Sequence, residues 1–160
     1  MDNRGKNFEL KFRKDLQKSF PNSFILRLND QITGYKETSK NPCDFILFNS
    51  GKLFLLEVKT HKGASLPFSA IPQYERLLNY EEIPGCFKGV ILWLYEHNDI
   101  GVIYIPISTI KKMKEDGQKS FGIRHLNNND YPSVVLPTLK KKPVFLDTDY
   151  SPLLNLEDGD

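Results

Sequence analysis

Residues 43–48, CDFILF, and 53–58, LFLLEV, are two short apolar runs separated only by Asn49, Ser50, Gly51 and Lys52. Runs of this length joined by turn-forming residues predict an antiparallel hairpin. Both faces of each run are apolar, which belongs to the middle of a sheet covered on both sides. In that setting Asp44 and Glu57 are out of place, because carboxylates seldom occupy core strands without a compensating partner.

The rest of the chain supplies the cover. Phe8, Phe12 and Leu16 recur every four residues between charged positions, which predicts an amphipathic helix over 3–18. Residues 23–29 read as a first strand and 30–42, with Gly34 and Pro42, as a surface loop. A helix entered through Pro72 is expected over 69–80, then strands at 88–96 and 101–106, then a short helix capped by Ser108. Beyond Phe121 the pattern weakens, with 127–137 read as loop and a flexible tail expected from about residue 150. The order of helix, three strands, helix, two strands, helix implies an α/β fold, a mixed central sheet flanked by helices.

The length of 160 residues fits a single domain with its own core, spanning 1–160. Cys43 and Cys86 lie in apolar runs without C-x-x-C spacing, which suits reduced thiols and a cytoplasmic location. No apolar stretch approaches a membrane span, and the mixed charges of the first ten residues do not suit a signal peptide. A net charge of +2 is too small to argue for nucleic-acid binding by itself, so local distribution matters more.

Glu57 and Lys59 are two apart on one strand and therefore share a face, while the hairpin brings Asp44 alongside Glu57. A divalent cation would compensate such a pair of carboxylates, and hard oxygen donors suit Mg²⁺ or Mn²⁺ completed by water and substrate phosphate. The chemistry implied is phosphodiester hydrolysis, the cation polarising the phosphoryl group and Lys59 orienting water or stabilising charge at phosphorus. The bland alternative is a buried salt bridge between Asp44 and Lys59 with Glu57 at an exposed strand end. A catalytically silent DNA-binding protein would have no need to hold these charges in a core.

An aspartate followed thirteen positions later by Glu-x-Lys, on adjacent strands after a helix, resembles the PD-(D/E)XK nuclease core. The opening NRGKNFE is similar to the N-R-G-x-x-x-E of RecU-like Holliday junction resolvases, and Gln73 in PQYERLLNY resembles the glutamine heading their next helix. The resemblance implies a restriction-endonuclease-like fold, with Asp44, Glu57 and Gln73 around Mg²⁺, Lys59 at the transition state, and Glu9 joining from the first helix. It also implies a homodimer acting on branched DNA in recombination. The chain departs from the family in having Pro42 where a threonine usually stands, and in a short 28–44 connection where those proteins insert a stalk. A restriction or repair nuclease of the same fold is the competing reading.

Arg4, Lys6, Lys36, Lys40 and Lys62, with the run at 140–142, are candidates for phosphate contacts, which position DNA without specifying sequence. Glu9 could alternatively pair with Arg13 one turn on, and Gln73 could be an ordinary first-turn residue. His61, His97 and His125 lack ligand spacing, although His61 follows closely on Lys59. No Gly-rich phosphate loop, zinc spacing or Ser-His-Asp arrangement is present.

Overall fold

Phe8, Phe12 and Leu16 fall on the buried side of the first helix, α1 (Arg4–Ser19), as their spacing predicts. In the computed structural model, which describes residues 3–29, 41–141 and 145–158, the chain continues into β1 (Phe24–Arg27), β2 (Phe45–Asn49) and β3 (Lys52–His61). The β2–β3 pairing runs down to Asn49 opposite Lys52, leaving Ser50 and Gly51 as a two-residue loop. Both have positive φ, 53° and 76°, which is what a hairpin turn matched to strand twist demands. β3 outlasts its apolar run by three residues, through Lys59 to His61.

After β4 (Ser65–Pro67) and one turn of 3-10 helix come α2 (Tyr74–Leu78), β5 (Cys86–Leu94), β6 (Val102–Pro106) and α3 (Ile107–Glu115). The single helix expected over 69–80 is broken. Pro72 has no N–H to give, so the chain makes a 3-10 turn at Phe68–Ala70 and starts α2 only after Gln73. Ser108 does not cap α3: the helix starts at Ile107 directly behind Pro106, and no side chain caps it.

The sheet has six strands in the order β1-β2-β3-β5-β6-β8, where β8 is Val134–Leu136. β3 and β5 run parallel and every other neighbouring pair is antiparallel. α1 packs Phe8, Phe12 and Leu16 on one face against Phe45, Leu47, Phe54, Leu56 and Val58. On the other face Leu77 of α2 and Ile110 and Met113 of α3 meet Leu55, Val90 and Leu92. Alternation along β3 thus gives Leu56 and Val58 to α1 and leaves Glu57 and Lys59 on the α2 face. No helix among the described residues is long and apolar enough to cross a membrane.

Two regions expected to be irregular are built into this frame. β8 forms an edge inside the 127–137 stretch, and β4 pairs with β7 (Ser120–Gly122) as a separate two-stranded sheet. A hairpin of β9 (Thr138–Lys141) and β10 (Phe145–Thr148) follows, and the expected frayed tail is instead a packed 3-10 turn at Ser151–Asn155. Tyr150, Leu153 and Leu156 are buried in the α1-side core. Lys52 fastens the turn by donating to the carbonyls of Leu154 and Leu156, both at 2.6 Å.

Gly89 sits opposite Leu56, one residue from the Glu57 register. A Cβ there would lie 2.5 Å from the Ile105 carbonyl oxygen and 2.5 Å from the Tyr104 ring. Gly89→Ala is therefore expected to push β6 away and lower stability by about 1–3 kcal/mol, the usual cost of overpacking. Chemical denaturation measures this, and a variant as stable as the parent would show that β6 yields freely.

Candidate metal and phosphodiester site

Antiparallel register places the carboxylates together. Phe45 pairs with Leu56, so one step further sets Asp44 opposite Glu57. The Asp44 backbone N–H donates to the Leu56 carbonyl at 3.1 Å, and its Oδ2 accepts from the Val58 N–H at 2.9 Å. Those two bonds pin the aspartate against β3. Its carboxylate reaches the neighbourhood of Glu57, on the same side of the sheet, and raises the Glu57 pKa.

Glu57 is only 1% exposed. Burial first, and then the negative Asp44, push its carboxyl up to about 8, while Lys59 pulls the other way. The Lys59 ammonium lies 3.3 Å from Glu57 Oε1, and its side chain remains part-exposed at the rim. The simple salt-bridge alternative is inverted here: Lys59 faces Glu57 rather than Asp44, and Glu57 is the deeply buried member. The other oxygen of the pair, Glu57 Oε2, is buried with no hydrogen-bond partner. Cys43, next in the chain, is a buried thiol pushed up to about 12 by burial and by Glu57 and Asp44, so it behaves as an inert apolar group.

Gln73 immediately precedes α2, on the face of the sheet that carries Glu57 and Lys59, and makes no side-chain cap. Its amide Oε1 is buried and also without a partner. Unsatisfied buried acceptors are uncommon and call for an explanation, an absent cation being one. Among the described residues no cluster of three or more His, Cys, Asp or Glu side chains could hold a metal. The oxygen donors on this face are instead two carboxylates and an amide. That set fits Mg²⁺, which keeps several waters and shares substrate oxygens, better than zinc or a caged calcium.

Glu9 goes elsewhere. Arg27 on β1 grips its Oε2 through Nη2 at 2.8 Å and Nε at 3.2 Å, and reaches Asn29 Oδ1 at 2.9 Å. Neither the Arg13 pairing nor a metal contact is what the structure gives this residue. Arg27 had no visible role in the sequence, since nothing in one basic residue on a strand announces a partner eighteen positions away.

Of the basic candidates, Arg4 and Lys62 lie near the C-terminal ends of β5 and β3. Gly5, at the start of α1, lies about one contact distance from Thr60 Oγ1, at 4.0 Å for an added Cβ. Beside it Arg4 stacks 4.2 Å from the centroid of the Tyr95 ring, and the Tyr95 N–H donates to the His61 carbonyl at 3.2 Å. Lys6 is exposed on α1, and Lys62 is exposed with Glu96 only loosely opposite at 3.9 Å. Lys36 and Lys40 lie outside the described residues, as do the side chains of 140–142.

With this geometry in view, the chain is similar in structure to the Holliday junction resolvase Hjc of the archaeal hyperthermophile Archaeoglobus fulgidus. The TM-score is 0.53 at 23% sequence identity, covering 80% of this chain and 92% of that one. The chain has the restriction-endonuclease-like fold. No family model matches the chain, and no curated protein matches it. The likeness is to an archaeal resolvase and makes no distinction in favour of the RecU branch, whose motifs rest on the residues quoted above.

Proposed function

We propose that this chain is a single nuclease domain that hydrolyses phosphodiesters in branched DNA with Mg²⁺ or Mn²⁺, as a homodimer of the RecU-like type. The observation that carries the reading is the pair of carboxylates on one face, Asp44 raising the pKa of the buried Glu57, with Gln73 Oε1 buried and lacking a partner on the same side of the sheet. Asp44, Glu57 and Gln73 would hold the cation, which supplies Lewis acidity toward the phosphate and acidifies water when bound. Val58 and Leu56 keep Asp44 in place through their backbone groups. Lys59, at the rim, is positioned to stabilise charge on a phosphate arriving from solvent. Arg4, Lys6 and Lys62 would hold flanking phosphates, so affinity should fall steeply with salt.

Two like-polarity cuts need two sites, and a dimer supplies them. Edge strand β1 supports association: Phe24 and its β2 partner Phe48 are 56% and 48% exposed, with Leu26 43% exposed beside them. Sedimentation is expected to give a dimer that Phe24→Glu splits, and competition at one salt concentration should favour a four-way junction over a linear duplex of equal length. Cleavage of the junction in Mg²⁺ and none in excess chelator completes the expected result. A monomer cutting linear duplex equally well would replace the resolvase reading by that of a restriction or repair nuclease. Undiminished turnover in chelator would remove the metal site itself.

A further inference from the structure

The short helix α2 carries a second unpartnered polar group. Arg76 Nε is buried and has no hydrogen-bond partner, and among the described residues the Arg76 guanidinium has no ion-pair partner either. Guanidinium stays charged at every ordinary pH and is acceptor-free, so it can be satisfied only by an acceptor. A buried donor left without an acceptor is destabilising, because it has lost its water and gained nothing in exchange. Arg76 is three residues after Gln73, which puts the two side chains on one side of α2. Tyr74 and Leu77, between and after them, are buried in the core facing the sheet.

One turn of helix therefore holds a buried acceptor awaiting a donor or cation, and a buried donor awaiting an acceptor. They do not satisfy each other, since Gln73 Oε1 and Arg76 Nε are both without partners. A cation alone would satisfy the amide oxygen and repel the guanidinium. An anion alone would do the reverse. A divalent cation already carrying a phosphate oxygen satisfies both at once, because the metal takes the amide and the phosphate's remaining oxygens accept from the guanidinium.

We infer that Arg76 is a substrate-binding residue that contacts a DNA phosphate bound together with the cation of the Asp44–Glu57–Gln73 site. This rests on the metal-site reading proposed above. The contact is a charge-assisted one to a phosphodiester oxygen, neutralises one phosphate, and is made only when the metal site is filled. It is absent from the sequence motifs, which name the glutamine and pass over the arginine one turn on.

The test is equilibrium binding of a four-way DNA junction in Ca²⁺, used in place of Mg²⁺ so that binding is read without turnover, across a series of salt concentrations. Arg76→Gln is expected to weaken binding about tenfold and to flatten the slope of log affinity against log salt by about 0.9, one phosphate's worth. Arg76→Lys, which keeps the charge, should retain the slope and recover part of the affinity. A helix merely loosened by the substitution would lower the melting temperature without changing the slope, and that result, or an unaltered Arg76→Gln, overturns the inference. Calorimetric titration of the unsubstituted protein with Mn²⁺ separates the two levels. No Mn²⁺ binding there would remove the metal site and this inference with it, whereas Mn²⁺ binding with an unaltered Arg76→Gln removes this inference alone.

Discussion

Glu57→Gln and Asp44→Asn are each expected to lower junction cleavage by about a thousandfold while junction affinity in Ca²⁺ falls by no more than the about tenfold carried by the metal-dependent Arg76 contact. A thousandfold corresponds to about 4 kcal/mol of lost transition-state stabilisation, within what a Lewis-acid cation supplies. Both substitutions are nearly isosteric. Each removes negative charge from the place on the α2 face where Asp44 and Glu57 meet, and neither touches Arg4, Lys6 or Lys62. Folding provides the internal control, with opposite signs for the two sites. Glu57→Gln deletes a carboxyl whose ionised form is disfavoured by burial and by Asp44, so the metal-free variant should melt no lower than the parent at pH 8. Asp44→Asn keeps an oxygen able to accept from the Val58 N–H and should cost little. An enzyme that loses cleavage, binding and melting temperature together would have lost its fold instead of its metal.

The site was legible because its residues violate the pattern around them. A carboxylate at position 57 inside LFLLEV is conspicuous against its neighbours, and hairpin register then fixes which residue stands opposite it, so Asp44 and Glu57 could be paired before any coordinate was known. Lys59 followed from the two-residue period of a strand. The same reasoning reached α1, whose four-residue spacing is regular, and both central strands. It failed where elements are too short to carry a period. β8 has three residues and β4 and β7 have three each, so no alternation is visible.

The packed C-terminal turn escaped for a related reason. Tyr150, Leu153 and Leu156 are separated by Ser151, Pro152, Leu154 and Asn155 without a regular period, and read as a tail because their burial depends on α1 and on Lys52, a hundred or more positions earlier. The Arg27 partner of Glu9 is hidden on the same grounds. The glutamate's charge was visible and its partner was not, since Arg27 meets it only after the sheet has assembled. Arg76 needed the burial of one atom to be noticed at all. Local sequence therefore reported the elements and the candidate ligands on them, while contacts made by folding at long range were beyond it.

Metal affinity should rise about tenfold for each pH unit up to about 8 and level off above it. The reasoning starts from the proton on Glu57. Without a cation its carboxyl holds a proton up to about pH 8, because burial and the adjacent Asp44 both disfavour the charge. Ligation requires the carboxylate, so below that pH each bound cation must displace one proton, and the apparent affinity loses a factor of ten per unit. The same proton sets the stability of the metal-free protein. An unfolded glutamate ionises near its ordinary value of 4.5, whereas the folded one does so near 8, so the unfolded state sheds its proton first as pH rises. Stability contributed by the protonated form is fully present below 4.5, declines through the interval, and is gone above about 8. A bound cation reverses this by favouring the ionised form, and the rise in melting temperature on adding Mn²⁺ should therefore grow between pH 6 and pH 8. Calorimetric titration at pH 7 in two buffers of different ionisation enthalpy should count close to one proton released per Mn²⁺ bound. In Glu57→Gln both the proton release and the pH dependence should vanish along with tight binding. Binding of Mn²⁺ to the parent that neither releases a proton nor varies from pH 6 to 8 would mean that the cation sits somewhere other than on Glu57.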